Sequence, residues 1–254
     1  MKIKMIVTDL DGTLLRDDKS ISPNTLAALW QCREKGIKLA YATARGPTAD
    51  LVVPENLFHG KIQANGARAY AGDMLAYSKR IPGQLAKPFL SACIKHGLNI
   101  YSQTDGISYA NFVVTDVWPD TTCFKIVDLL QHDQDADKLC AVIGKPADEA
   151  FIREQLPPDL HAYSSRNSDV MVMHKEATKV LAISELARMW GITAPEIAAF
   201  GDDVNDIDML KYAGIGIAMG NALDAVKNIA DDVSLSNEED GIANWVQRHR
   251  SDFA

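Results

Sequence analysis

The chain has 254 residues, 47% hydrophobic and 24% charged, enough for a sizeable core and against disorder. A formal net charge of −8 and a pI near 5.2 give no electrostatic footprint for nucleic acid or an anionic membrane, so cations for any anionic ligand must be placed locally. No apolar run approaches the roughly 20 residues that span a bilayer, and Cys32, Cys93, Cys123 and Cys140 fall in no disulfide or zinc spacing, so a soluble cytoplasmic protein with reduced thiols is expected.

Residues 3–8 are an apolar run with β-branched members that closes on Gly12, the pattern of a buried strand and a tight turn. The strand runs into Asp9-Leu10-Asp11-Gly12-Thr13-Leu14. The two carboxylates project to one side if strand geometry continues through them. If Gly12 opens the turn instead, one of them offers its backbone carbonyl while its side chain swings elsewhere. Acids at the end of a buried strand repel each other, so a cation belongs between them, and Mg²⁺ suits oxygen ligands. A bare Asp-x-Asp also reads as an acidic surface turn; the strand, Gly, Thr and Leu around it argue otherwise.

After the polar linker Arg16-Asp17-Asp18-Lys19-Ser20, Ser22 reads as an N-cap and Pro23 as the first helical residue. The helix runs to about residue 35, with Leu26, Leu29 and Trp30 on one face and Gly36 ending it. Residues 37–42 form a second strand that ends at Thr43-Ala44-Arg45. A strand, a helix and a strand in so short a span make a βαβ unit, which predicts a parallel sheet. A third strand over 61–64 ends at Asn65-Gly66-Ala67. Ligands bind beyond the carboxyl ends of such strands, so Asp9, Thr43 and Asn65 should converge.

Near Ile81-Pro82-Gly83 the pattern changes. A helix over 84–96 leads to strands over 99–103 and 108–113 about Asp105-Gly106, a hairpin signal. A strand over 138–144, a helix over 148–156 and two strands separated by Arg166-Asn167-Ser168 follow. Residues 82–173 therefore read as an inserted α+β domain between core segments 1–81 and 174–254. Tyr101, Tyr109 and Trp118 read as packing of that domain rather than a stacking platform. His174 is a polar residue at the return or a substrate contact.

The core rhythm resumes with an amphipathic helix over 178–190 that carries Lys179, then a strand over 196–200 stopping at Gly201-Asp202-Asp203-Val204-Asn205-Asp206. Taken alone that run is a helix N-cap; with Asp9 and Asp11 it supplies carboxylates from two neighbouring strands. Asp203 reads as a capping acid and Asp231-Asp232 as a solvated turn. Further βα elements close the chain. The fold class is α/β, a doubly wound parallel Rossmann-like sheet with the inserted α+β domain above its functional edge.

These motifs, in this order, resemble the haloacid dehalogenase superfamily of Mg²⁺-dependent phosphohydrolases, in particular its Cof-type branch with a large α/β cap. Asp9 to Leu14 matches the first motif, Ala42-Thr43 the second, Lys179 the third, and the run from Gly201 through Leu210 the fourth; Asn65-Gly66-Ala67 is also typical. Ala44 and Val180 stand where the branch usually has glycine. The resemblance implies Asp9 as nucleophile and Asp11 as general acid and base. It also implies Mg²⁺ on Asp9, Asp202 and the Asp11 carbonyl, and phosphate contacts from Thr43, Lys179 and Asn205. Asp206 would act from behind these, orienting Lys179 or a metal-bound water. Asn65, Gly66 and Arg45 are candidate substrate contacts, although Arg45 and Arg68 also read as structural clamps. The expected activity is hydrolysis of a small phosphorylated metabolite, a sugar phosphate first and FMN or pyridoxal phosphate next, by a monomer or homodimer that binds neither nucleic acid nor membrane. A phosphomutase or phosphotransferase would use the same nucleophile. A non-catalytic ligand-binding regulator would be expected to have lost Asp9 or Asp11, and both are present.

Overall fold

The computed structural model describes residues 2–119, 121, 123–164 and 169–253; the turn expected at Arg166-Asn167-Ser168 lies outside them. The chain divides into two compact units, Met1–Ser78 with Thr178–Ala254, and Lys79–Ala177.

In the first unit β1 (Met5–Thr8) is buried at every position, as an apolar run with parallel partners on both sides must be. At the head of α1 (Pro23–Glu34) the Ser22 hydroxyl accepts from the Thr25 N–H (3.0 Å), and Pro23 leaves no donor unsatisfied. β2 (Lys38–Ala42) and β3 (Gly60–Gln63) follow in parallel register. β3 stops before the expected end because Ala64 and Asn65 are both left-handed (φ 47° and 51°) and fold into a tight turn.

The parallel sheet that was expected is mixed at this edge. β4 (Arg68–Ala71) and β5 (Met74–Ser78) form a hairpin about Gly72 and add antiparallel to β3. The βαβ rhythm predicts strands separated by helices, whereas only a tight turn separates β3 from β4.

The second unit opens with α2 (Gly83–Lys95) and the hairpin of β6 (Ile100–Thr104) and β7 (Ile107–Ala110). Its turn is Asp105-Gly106, at φ 51° and 81°, the left-handed pair that a two-residue hairpin needs. β7 ends earlier than expected because the Asn111 side chain accepts from the Ile100 N–H (2.9 Å) and donates to the Leu98 carbonyl (3.0 Å). β8 (Phe124–Ile126), which the sequence pattern missed, is followed by β9 (Lys138–Val142), α3 (Pro146–Glu154), β10 (Leu160–Ser164) and β11 (Asp169–His174). The sheet order is β10-β11-β9-β6-β7-β8, and Phe89, Leu90 and Ile152 from the helices pack with Leu139, Val170 and Val172. Tyr101 meets Trp118 edge-on at 5.5 Å, while Tyr109 stacks on His132 at 4.0 Å. Ile81, expected in the core segment, exchanges backbone bonds with Ala136 (2.8 and 2.9 Å), and β11 runs through His174; the unit is therefore wider than 82–173 at both ends.

The chain returns through α4 (Lys179–Met189), whose Thr178 hydroxyl accepts from the Leu181 N–H (3.2 Å). β12 (Ile197–Gly201), α5 (Ile207–Tyr212), β13 (Ile215–Ala218), α6 (Asp224–Lys227), β14 (Asp232–Val233) and α7 (Gly241–Arg248) complete it. Asp231 is exposed at a bend, as expected, but Asp232 is partly buried in β14, and both side chains are bonded. Asp231 accepts from the Gly216 N–H (2.8 Å), and Asp232 accepts from the indole N–H of fully buried Trp245 (2.8 Å). Trp245 in turn meets Phe200 edge-on at 5.3 Å in the core.

The eight-stranded sheet runs β14-β13-β12-β1-β2-β3-β4-β5. From β1 the chain moves outward through β2 and β3; after the second unit it returns at β12 and moves the other way. The order reverses between β1 and β12, and ligands bind at the carboxyl ends of strands at such a reversal. Among the described residues, no helix is long and apolar enough to cross a membrane.

Candidate active site

Asp9 and Asp202 each stand one residue past the end of a central strand, β1 and β12. The Asp9 N–H still donates to the Phe200 carbonyl (3.0 Å), which keeps the two strand ends in step. Lys179, the first residue of α4, extends its Nζ between Asp9 Oδ1 (2.6 Å) and Asp206 Oδ1 (2.7 Å). Asp206 Oδ2 accepts from the Asp202 and Asp203 N–H groups (3.0 and 3.1 Å), so this acid serves the lysine and the turn together. Asp203 Oδ1 accepts from the Val204 N–H (2.7 Å), a cap on the same turn. Thr13, for which no role was expected, donates its hydroxyl to Asp202 Oδ1 (2.7 Å). Gly12 is left-handed (φ 80°), and a Cβ there would lie 2.5 Å from Asp202 Oδ2, so both the turn and the acid require glycine.

Asp9, Asp202 and Asp206 are all buried and offer oxygens within 4.8 Å of one another. Burial pushes the Asp9 carboxyl well above the ordinary carboxylate range; Lys179 pulls it back, and Asp206 and Asp202 add to the rise. At Lys179 burial works against the ammonium, but Asp206 and Asp9 outweigh it and hold its pKa above the usual lysine range. A single ammonium among three buried acids leaves an excess of negative charge. Clustered hard oxygen donors of this kind fit a divalent cation such as Mg²⁺.

Asp11 does not join this cluster through its side chain. Arg45 grips it as a fork, Nε to Oδ2 and Nη2 to Oδ1 at 2.6 Å each, and Lys19 Nζ reaches Oδ1 at 2.9 Å. Burial opposes the shift, but the bonds from Arg45 and Lys19 outweigh it and hold the Asp11 carboxyl below its ordinary value. Of the two geometries open to the Asp-x-Asp turn, the carboxylates on one side or a side chain swung away, the structure adopts the second. Lys19 gave no signal, since a lysine in a polar linker is ordinarily solvated. Here it is left-handed (φ 67°), in a turn where Asp18 Oδ1 accepts from the Ser20 N–H (2.8 Å) and hydroxyl (2.6 Å).

Thr43 is buried at the end of β2, and its hydroxyl accepts from the Arg45 N–H (3.1 Å). The Asn65 N–H donates to the Thr43 carbonyl (2.8 Å), and Asn205 Nδ2 donates to Asn65 Oδ1 (3.0 Å), which links three predicted residues in one path. Gly66 (φ 100°) lies against α4, where a Cβ would come within 2.2 Å of the Thr178 carbonyl oxygen. Of the three residues expected to touch substrate, Arg45 and Asn65 bond to neighbouring protein groups and Gly66 packs against the start of α4. Ala44 and Val180 lie outside the left-handed region, so neither position needs the usual glycine. His174 Nδ1 accepts from the Glu176 N–H (3.1 Å), a local turn contact, and Arg68 Nη1 donates to the Tyr70 hydroxyl (3.4 Å).

Residues 6–246 match the family model of the haloacid dehalogenase-like hydrolases. The chain is 27% identical to the 5-amino-6-(5-phospho-D-ribitylamino)uracil phosphatase YitU of Bacillus subtilis (strain 168), over 97% of each chain. It is equally 27% identical to the pyridoxal phosphate phosphatase YbhA of Escherichia coli (strain K12), over 98% of this chain and 99% of that one. Among solved structures it is similar to BT4131, a sugar phosphatase of HAD subclass IIB, with a TM-score of 0.86 and 28% identity over 96% of this chain and 98% of that one.

Proposed function

This chain belongs to the haloacid dehalogenase-like hydrolases and is a phosphoric monoester hydrolase, and from that premise we propose that it hydrolyses small phosphorylated metabolites through an aspartyl-phosphate on Asp9. Sugar phosphates come first among substrate classes, and phosphorylated cofactors such as FMN and pyridoxal phosphate next. Substrate choice falls to the unit Lys79–Ala177. The observation that carries this reading is the meeting of buried Asp9, Lys179 and Asp202 at the reversal between β1 and β12.

An Asp9 oxygen attacks phosphorus in line, and the bond to the leaving oxygen breaks as the new bond forms. Lys179, Thr43 and Asn205 hydrogen-bond the phosphoryl oxygens. Asp11 gives a proton to the departing alkoxide and then takes one from the water that hydrolyses the acyl phosphate. Its pairs with Arg45 and Lys19 favour the carboxylate, which suits the second step; the first requires those pairs to loosen. Asp9, Asp202 and the Asp11 carbonyl would hold Mg²⁺. When bound, that cation offsets the repulsion between carboxylate and phosphate and stabilises the developing charge. Asp206, with both oxygens already taken by Lys179 and two N–H groups, positions the lysine.

The test is phosphate release across a panel of phosphorylated metabolites, in Mg²⁺ or EDTA, beside Asp9→Asn. Release that needs both Mg²⁺ and Asp9 is expected. An isomerised sugar phosphate in place of free phosphate would make the enzyme a mutase. Release that survives Asp9→Asn would remove Asp9 as nucleophile.

A further inference from the structure

The turn that carries Asp11, Gly12 and Thr13 is held from a part of the chain that contains none of the acidic motifs. Asn221, just after β13, donates through Nδ2 to the Gly12 carbonyl (2.7 Å). Its Oδ1 accepts from the Asn237 N–H (3.0 Å). Asn237, in the turn after β14, donates through Nδ2 to the Leu15 carbonyl (3.0 Å) and lies 3.5 Å from Asp17 Oδ1. One hydrogen-bonded path therefore grips the turn at both ends, at Gly12 and at Leu15.

A side-chain amide is the group this path needs. It donates and accepts from one plane, whereas a carboxylate lacks the donor and an apolar side chain lacks both. Asn237 is buried and Leu15 fully so; water has little access to replace their bond. The grip matters because glycine imposes little conformation of its own, and Gly12 sits at φ 80°. The peptide plane between Gly12 and Thr13 must be set by its neighbours. Its N–H end has a long bond to the Leu10 carbonyl (3.3 Å), its carbonyl end is taken by exposed Asn221 with the shorter one (2.7 Å), and beyond it lies Thr13, whose hydroxyl donates to Asp202 at 2.7 Å.

We infer that Asn221 and Asn237 are positioning residues for Asp202: by fixing the Gly12–Thr13 peptide plane they aim the Thr13 hydroxyl at that carboxylate and so set it for a divalent cation. The inference rests on the proposed reading of Asp202 as a cation ligand. Neither asparagine touches the reacting groups.

The experiment compares wild type with Asn221→Asp, Asn221→Ala and Asn237→Asp. Asn244→Ala is the control, because among the described residues its side chain accepts only from Arg248 Nε, one turn along α7. Mg²⁺ binding is measured by calorimetry on the enzyme without substrate, beside the Mg²⁺ dependence and KM of phosphate release and thermal unfolding in EDTA. The relay variants are expected to bind Mg²⁺ about tenfold or more weakly, as loss of a partner behind a metal ligand does. KM at saturating Mg²⁺ should stay within about twofold. The EDTA melting midpoint should stay within about 2 °C for the variants of exposed Asn221, while Asn237→Asp, which leaves a buried carbonyl without its donor, should melt several degrees lower, by about 2–12 °C. Mg²⁺ affinity equal to wild type would overturn the inference. So would an affinity loss shared by Asn244→Ala, one matched in the Asn221 variants by a fall in EDTA melting, or wild-type protein that binds no Mg²⁺. A wild-type enzyme that binds Mg²⁺ but releases no phosphate refutes the proposed function alone, since the binding comparison still decides the asparagines.

Discussion

Asp206→Asn keeps the volume of a fully buried side chain and removes its charge. The carboxylate now satisfies three donors, the Lys179 ammonium on one oxygen and the Asp202 and Asp203 N–H groups on the other. An amide has one oxygen and an NH₂, so one of the two sides must face donor to donor. If the oxygen turns to Lys179, two backbone N–H groups lose their acceptor at about 1–3 kcal/mol each. If it turns to the backbone, the ammonium keeps only Asp9 inside a dry site, and breaking one side of a buried pair costs about 3–5 kcal/mol. The first orientation costs about 2–6 kcal/mol and the second about 3–5 kcal/mol, so a loss of about 3–5 kcal/mol is expected. The assay is thermal unfolding in EDTA, so that no added cation masks the change, and the midpoint should fall by about 6–20 °C. Phosphate release should drop about a hundredfold, because Lys179 loses one of its two anchors and its ammonium shifts. A variant that unfolds within about 1 kcal/mol of wild type and keeps its turnover would refute the reasoning, since an uncharged Asn would then serve Lys179 and the turn equally well.

Gly66→Ala and Gly97→Ala separate strain from collision. Both glycines are left-handed, but a Cβ at Gly97 meets nothing within 4 Å, while one at Gly66 lies 2.2 Å from the Thr178 oxygen and 2.9 Å from the Lys179 nitrogen. Denaturant unfolding should show a loss of about 1 kcal/mol for Gly97→Ala and more for Gly66→Ala, and only the latter should also lose turnover, through Lys179. His59 provides a pH test. Its Nδ1 accepts from the Leu39 N–H (3.0 Å) and its Nε2 lies 2.9 Å from an Arg33 nitrogen, so the folded site leaves no room for a second ring proton. Burial first, then Arg33 and Lys38, depress its pKa from 6.5 to about 4. Between those values the unfolded chain binds more protons, so the stabilisation is complete above about pH 6.5 and is lost as pH falls towards 4. Allowing for partial exposure, the loss is about 1–2 kcal/mol. Unfolding of wild type and His59→Gln across that window checks it, and an equal slope in the two proteins would refute it.

The strand runs and the acids at their ends were legible because both signals are local. An apolar stretch that stops on Asp9, or on Gly201-Asp202, states its own burial and its own boundary, and the βα rhythm then brings the two ends to one edge of a sheet. Lys179 was legible only in combination, since a lone lysine near a helix start is ordinarily solvated and it was its place ahead of the second acidic cluster that marked it. The β4–β5 hairpin escaped because a rhythm of strand and helix does not announce an antiparallel addition at a sheet edge. Asp232 escaped because its partner, the Trp245 indole, arrives from a later helix. The direction of the Asp11 carboxylate was undecidable from the motif: a turn at Gly12 permits either orientation, and the choice was made by Arg45 and Lys19, a strand and a linker away. Asn221 and Asn237 carried no local signal at all, since an asparagine near a turn is commonplace and the carbonyls they bind lie 209 and 222 residues distant. Sequence by itself determined which groups end their strands at the site, because burial and chain direction are written residue by residue. Only the tertiary structure decided where those groups point, because a side chain turns toward whichever donor or acceptor the rest of the chain brings within about 3 Å.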